Sequence, residues 1–209
     1  MKLEAIKNKL DKVEAGTTIG TFAVDLQDIR TDPTMQVRDK LDDGNKKRLR
    51  SAYKSGADVP PITVAFIEGE DPRPVVIDGH HRINVLEALV VEGQQQFNTV
   101  NIKAVKLSRS EARYRAAMAN NTHGLQLKPK ETRRLFAAYV FAGQHKEGQD
   151  GFKSYRQIGK ELSRDHKTMA AWMRKDFPKE AAKMEQPEKT NAGGVGMPCI
   201  RTMSDTSRN

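Results

Sequence analysis

Residues 75–89 read VVIDGHHRINVLEAL, and this stretch restricts the fold more than any other part of the chain. A short β-branched apolar run gives way at a glycine to apolar residues at helical spacing, so a buried strand hands over to a helix with almost no loop between them. That junction leaves the first N–H groups of the helix without partners, pointing into a gap where an anion can accept from them. Gly79 lets the backbone come close to a ligand. Arg82 in the first turn adds a planar cationic fork suited to phosphate oxygens, and His80 and His81 donate or accept as protonation demands. The other reading is an ordinary capped helix, with Asp78 as the cap, both histidines facing water and Arg82 paired with a nearby acid.

Strands and helices alternate around the junction. TFAVDLQDI (21–29) has period two and stops at the turn TDPT, and a polar helix fits 42–55, from an Asp cap to just before Gly56. The β-rich run PPITVAFIEG is closed by EGEDPRP, the strand VVI leads into a helix over about 82–91, and TVNIKAVKL (99–107) is a further strand. Residues 18–110 therefore form an α/β domain. Ahead of it, within 1–17, Leu3, Ile6, Leu10 and Val13 make one apolar stripe on a charged helix over 3–14 that Gly16 ends, and this packs on its own domain or on a second copy. After Ser108 the strand signals stop. Residues 111–178 carry helical periodicity, and 179–209, rich in Lys, Glu, Pro, Gly and Ser, are expected to be disordered. The expected class is α+β, an α/β N-terminal domain followed by an all-α domain.

Charge bears on the partner. Lys and Arg number 36 against 27 Asp and Glu, a net +9 that lowers the cost of approaching a polyanion and makes double-stranded DNA the first partner to consider. The one cysteine, Cys199, rules out a disulfide framework and a Cys-based zinc site, and implies a reducing, cytoplasmic setting. No apolar run approaches the ~18 residues of a membrane span, and the charged N-terminus lacks the apolar centre of a signal peptide. His80, His81 and His123 make a poor zinc set, because adjacent histidines at a helix start point in different directions and no carboxylate-rich motif accompanies them.

The second half contains SYRQIGKELSRDHKTMAAWMRKDF, in which 154–176 has the register of a helix-turn-helix. Ile158 and Leu162 share one face of a first helix, SRD makes the turn, and Met169 and Trp172 share the inner face of a second. Gly159 falls where two crossing helices come nearest. An ordinary helical hairpin is the alternative. The second helix then exposes Arg164, His166, Lys167, Thr168, Ala171, Arg174 and Lys175, its first turn toward base edges and Arg174 and Lys175 toward phosphates, while Arg156 and Lys160 on the preceding helix are candidates for backbone contacts.

TMQVR (34–38), the helix 42–55, PPITVAF (60–66) and a strand opening through G-x-x-R into a helix follow one another in the order found in the ParB/sulfiredoxin superfamily, which the chain resembles over about 20–178. The resemblance implies a ParB/sulfiredoxin-like domain that holds a nucleoside triphosphate, CTP or ATP with magnesium. Gly79, His80, His81 and Arg82 would then make phosphate contacts, and Gln36 and Arg38 would line the nucleotide side. ANNTHGLQLKPKETRR (119–134) matches a second family segment through Leu127 and Pro129 and through Asn121, the residue implied to help hold magnesium. Asn120 and Gly124 stand where that segment has an acid and an arginine, which removes a hard oxygen ligand.

The DGHHR form is similar to superfamily members with kinase or nuclease activity, and N-x-x-H-G-L-x-L resembles transcription regulators of the StrR type. The leading expectation is a dimeric ParB-like DNA-binding protein acting in plasmid or phage partition or in transcription control. The alternative is a nuclease or nucleotide-dependent phosphotransferase with Asp78, His80 and His81 as catalytic groups. In a third reading the α/β domain has lost its ligand and only supports dimer contacts.

Overall fold

The computed structural model describes residues 3–36, 38, 41–122, 127–148 and 151–185. The mixed α+β class is as the sequence implies. A four-stranded sheet has the order β1 (Ile19–Asp25), β4 (Thr99–Leu107), β2 (Ile62–Ile67), β3 (Val75–Asp78). β4 runs antiparallel to β1 and parallel to β2, and β2 and β3 form an antiparallel hairpin.

The central strands are apolar on both faces, so both must be covered. On one face Val64, Phe66, Val76 and Ile102 pack with Ile6 and Leu10 of α1 (Leu3–Leu10) and with Ile83 and Leu86 of α3 (His80–Val91), while α2 (Asp43–Lys54) lies against α3. The other face, with Ala65, Val75, Ile77 and Val105, is covered by Met35 and by Ala112 and Ala116 of α4 (Arg109–Thr122). Small residues at i and i+4 let α4 lie close to the sheet. α1 is shorter than the stripe predicts, because the chain turns after Leu10 and leaves Val13 exposed; Ile6 and Leu10, both fully buried, contribute about 1.5–3 kcal/mol each.

α5 (Pro129–Phe141), α6 (Tyr155–Glu161), α7 (His166–Asp176) and α8 (Pro178–Met184) close around Leu135, Phe136, Tyr139, Ile158, Leu162, Met169 and Met173. Ala117 of α4 joins this core too, so α4 contributes to both halves and the expected boundary near 110 falls at the start of a shared helix. Two expectations need correction. The second half is not purely helical: β5 (Lys146–Glu147) and β6 (Gly151–Phe152) form a small ribbon, too short for any period-two signal. The chain is also ordered beyond 178, since Pro178 occupies the first turn of α8 and Ala181 is buried against the helical core. The remainder of the expected disordered tail, 186–209, lies outside the described residues.

α6 and α7 are joined by a short turn. Ser154 caps α6 by accepting from Gln157 N, Asp165 caps α7 by accepting from Lys167 N, and Ser163 between them takes φ +53. A Cβ built on Gly159 would lie 2.6 Å from Arg164 O and 3.3 Å from His166 N, both backbone atoms. Alanine normally gains about 1 kcal/mol over glycine in a helix, but the turn cannot retreat here. Gly159→Val is expected to lower the unfolding free energy by about 1–3 kcal/mol, read from urea denaturation; unchanged stability would mean that the two helices do not meet at this residue.

Candidate functional site

β3 ends at Asp78, and Gly79, at φ +103, is the N-cap of α3. The arginine one turn later folds back over this glycine: a Cβ on Gly79 would lie 2.9 Å from Arg82 Nε. The missing side chain therefore makes room for Arg82 rather than for an outside anion. Arg82 Nη1 donates to Pro60 O (2.7 Å) and Pro61 O (2.8 Å), and Nη2 donates to Asp78 Oδ2 (2.9 Å). Arg82 is thus an internal clamp, and Asp78 is its counter-ion instead of the helix cap.

The histidines are only partly exposed. His81 is half-buried, and its Nε2 accepts from Asp42 N at 2.9 Å, which places its proton on Nδ1 and ties the start of α3 to the start of α2. Burial, then the nearby Arg38 charge, holds its pKa below the ordinary value. His80 Nε2 is buried with no partner among the described residues. Burial pushes the His80 pKa down to about 4, with Asp78 opposing and His81 and Arg82 adding to the shift. Both imidazoles are neutral at neutral pH.

These groups border a cavity of about 540 Å³. The first turns of two 12-residue helices, α2 with Asn45 and α3 with Gly79–Arg82, converge on it, joined by Lys103, Thr63, Arg38 and Asn120. Arg38 Nε donates to Asn120 Oδ1 (3.0 Å) and Nη2 to Asn120 O (3.2 Å). Lys103 is exposed and has no hydrogen-bond or ion-pair partner among the described residues. Arg38 and His80 also wall a neighbouring cavity of about 260 Å³ that holds Gln36, Asn84 and Glu87. Hence Gln36 meets His80 and Asn84 of α3 in the second cavity rather than in the first. From α4 the first cavity receives Ala119 and Asn120, and Asn121 sits one position further round the helix, half-exposed. His123 and Gly124 lie outside the described residues.

The loop carrying Gln36 and Arg38 is positioned from a distance. Arg109 grips Glu70 with Nε (2.5 Å) and Nη2 (2.6 Å) and reaches Asp32 with Nη1 (2.9 Å), while Arg30 adds a bond to Glu70 (3.0 Å). The Arg109 bonds, more than its slight burial disfavours charge on the acid, hold the Glu70 pKa below its usual range.

As chemistry, the cavity offers helix N-termini, one unpaired lysine and a neutral imidazole, a set that suits a phosphate-bearing ligand. Magnesium does not fit as a protein-held ion: among the described residues no cluster of three His, Cys, Asp or Glu is present, Asp78 is taken by Arg82, and the Asn120 amide oxygen is taken by Arg38. The proposed catalytic trio is not assembled around free space either. Asp78 is paired, His81 Nε2 is bonded, and His80 Nε2 is buried.

On the helical half, Arg156, Lys160, Lys167 and Lys175 are exposed and have no hydrogen-bond or ion-pair partner for their charged ends among the described residues. Thr168 is partly buried, and His166 lies 3.7 Å from Asp165. Arg164 donates to Ser163 O and Thr132 Oγ1, which turns it toward α5. Arg174 is paired with Glu185 at 2.9 Å rather than projecting freely. Trp172 packs on Phe136 beneath the Arg133 guanidinium, partly buried against the helical core.

Sequence reasoning missed Lys103, the Pro60 and Pro61 carbonyls and the Asp42 N–H, and it read Asn120 only as a replaced acid rather than as a partner of Arg38. Lys103 had a readable signal in its outward parity on β4, whereas the carbonyls and the Asp42 contact depend on tertiary geometry.

No family model and no curated protein matches the chain. Among solved structures it is similar to a Pnob8-like ParB-N domain (12% identity, 81% of this chain and 75% of that one, TM-score 0.49). It is also similar to the C-terminally truncated chromosome-partitioning protein ParB from Caulobacter crescentus complexed with CTP-gamma-S (13% identity, 74% and 77%, TM-score 0.41). Sulfiredoxin from Arabidopsis thaliana is matched at 22% identity over 46% of this chain and 97% of that one, with TM-score 0.36.

The depressed His80 pKa has a consequence for stability. Above the unfolded value of 6.5 its contribution is fully present; as pH falls toward about 4 the unfolded chain takes up a proton that the folded chain refuses, and stability is lost. Wild type is expected to lose up to about 3 kcal/mol over this window relative to His80→Asn, measured by denaturation across pH. Parallel pH profiles for the two proteins would show that the imidazole is not buried in the neutral form.

Proposed function

We propose that the protein is a ParB-like DNA-binding protein whose α/β half binds a nucleotide or another phosphate-bearing ligand. The observation that carries this reading is the set of unpartnered cations on α6 and α7. Arg156 and Lys160, one turn apart, share an exposed face of α6, and Lys167 and Lys175, two turns apart, share one of α7, where the exposed Ala171 leaves the surface flat between them. In this reading α7 lies in the major groove with His166, Lys167 and Thr168 near base edges, while Arg156, Lys160 and Lys175 meet phosphates. Arg174 joins them by exchanging an exposed pair with Glu185 that is worth at most about 1 kcal/mol.

In the α/β half the phosphates lie against the first turns of α2 and α3 with Lys103 and Arg38 nearby, and Arg82 holds the seat in shape. Magnesium, where used, arrives with the nucleotide. Partition, transcription control, a cytoplasmic location and a dimer belong to this proposal. No described helix is long and apolar enough to cross a membrane. In a second reading the protein is an enzyme acting on phosphoryl groups, with His80, neutral and among the residues lining the cavity, as its base once a ligand uncovers the buried Nε2.

DNA fragments selected from a random pool supply the ligand for a fluorescence-anisotropy test. Lys160→Ala with Lys167→Ala is expected to weaken binding and to lower the log–log salt slope by about 1 for each phosphate that is no longer neutralised, with the fold unchanged by circular dichroism. Retained affinity and slope would remove the helix pair from the account. Calorimetry with CTP and ATP addresses the other half: Lys103→Glu is expected to weaken nucleotide binding by about tenfold, and turnover that disappears in His80→Asn would establish the enzyme reading.

A further inference from the structure

A second cavity, of about 480 Å³, opens where α7 passes into α8 and lies within the usual size range of small-molecule sites. We propose that it binds a small aromatic carboxylate. Its wall is apolar: Phe141 is 70% exposed and meets Phe177 edge to face, with ring centroids 5.3 Å apart at 82°, and Val140 and Pro178 extend the surface. A large aromatic left this open gains from being covered by another ring.

The charges around the wall select the sign of the ligand. Lys146 and Lys179 are exposed and have no hydrogen-bond or ion-pair partner among the described residues. The carboxylates beside them are occupied, Asp176 by Arg133 at 2.6 and 2.8 Å and Glu180 by Lys183 at 2.9 Å. The rim therefore presents two unpaired cations, while its two carboxylates are already ion-paired. One polar group lies among the lining residues below the rim: His145, 2% exposed, is stacked on Phe152, with Nε2 3.4 Å from Glu180 Oε2 and Nδ1 unpartnered.

An organic cation would meet the two lysines with like charge, and an inorganic anion would leave the aromatic wall uncovered. A ring bearing one carboxylate satisfies both, the ring against Phe141 and Phe177 and the carboxylate between Lys146 and Lys179. The site is separate from the phosphate cavity, so it stands or falls independently of the nucleotide. It is built on the last turn of α7, where Asp176 holds the Arg133 that covers Trp172.

Trp172 is the one tryptophan of the chain and reports on this corner. Titration of the full chain with 3-phenylpropionate, followed by Trp172 fluorescence and by ligand-observed saturation-transfer NMR, is expected to show saturable binding with Kd on the order of 1 mM. Phe141→Ala and Lys146→Glu, both at exposed positions, are each expected to weaken it by up to about tenfold, and 3-phenylpropylamine should not bind. The proposal is overturned by absence of saturable NMR transfer, by full affinity in both variants, or by equal binding of the amine. Binding of an acidic aromatic peptide without the free acid would overturn it too, in favour of a protein partner.

Discussion

The guanidinium of Arg82, folded back over Gly79, fixes the corner on which the α/β half is arranged. The segment it holds, Pro60–Pro61, brings two carbonyls to a place where prolines supply no N–H and a regular ladder cannot form. Arg82 supplies the missing donors and takes Asp78 as counter-ion, so β3, the first turn of α3 and the lead into β2 become one rigid unit. A glycine at φ +103 is the backbone condition for this, since any side chain there would occupy the volume of the guanidinium. The first turn of α3 consequently lines the cavity, and His81, bonded to Asp42 N, sets the α2 first turn beside it.

Because Arg82 is spent on the scaffold, the charge that a ligand meets comes from elsewhere. Lys103 reaches the cavity from β4, and Arg38 reaches it from a loop whose position depends on the Arg109–Glu70–Asp32 contacts. Both arginine systems end on α4: Arg109 is its first residue, and Arg38 bonds Asn120 near its last turn. α4 is thus pinned at each end to the half that holds this cavity, while its middle supplies Ala112 and Ala116 to one core and Ala117 to the other. The two halves share a helix rather than a linker.

The sequence made the architecture readable because each element carried its own local signal. Period two marked β1 and β4, an Asp cap marked α2, and the small residue with its apolar register marked α6 and α7. Residue roles at the site were less legible. The motif placed Gly79, His80, His81 and Arg82 together, but whether Arg82 binds an anion or ties down Pro60 depends on a segment some twenty positions away. Burial, which neutralises both histidines, likewise arises from α2 packing on α3 and has no local signature. α8 was missed for a compositional reason: its seven residues carry one buried alanine and several charges, which reads as tail until Phe177 and the core are in place.

A net charge of +9 describes the whole chain and says little about where a polyanion would sit. What localises it is which cations are already engaged. In the α/β half Arg30, Arg50, Arg73, Arg82, Lys106 and Arg109 all have carboxylate partners, several of them partly buried, and lending such a group to a phosphate would strand an acid. On α6 and α7 the exposed Arg156, Lys160, Lys167 and Lys175 leave no acid behind when they move to a phosphate, and the counter-ions they release favour association. Arg174 is the intermediate case, paired yet 62% exposed, so its exchange from Glu185 to a phosphate costs little. The distribution of ion pairs, more than the total charge, is what supports the proposed duplex contact on α6 and α7.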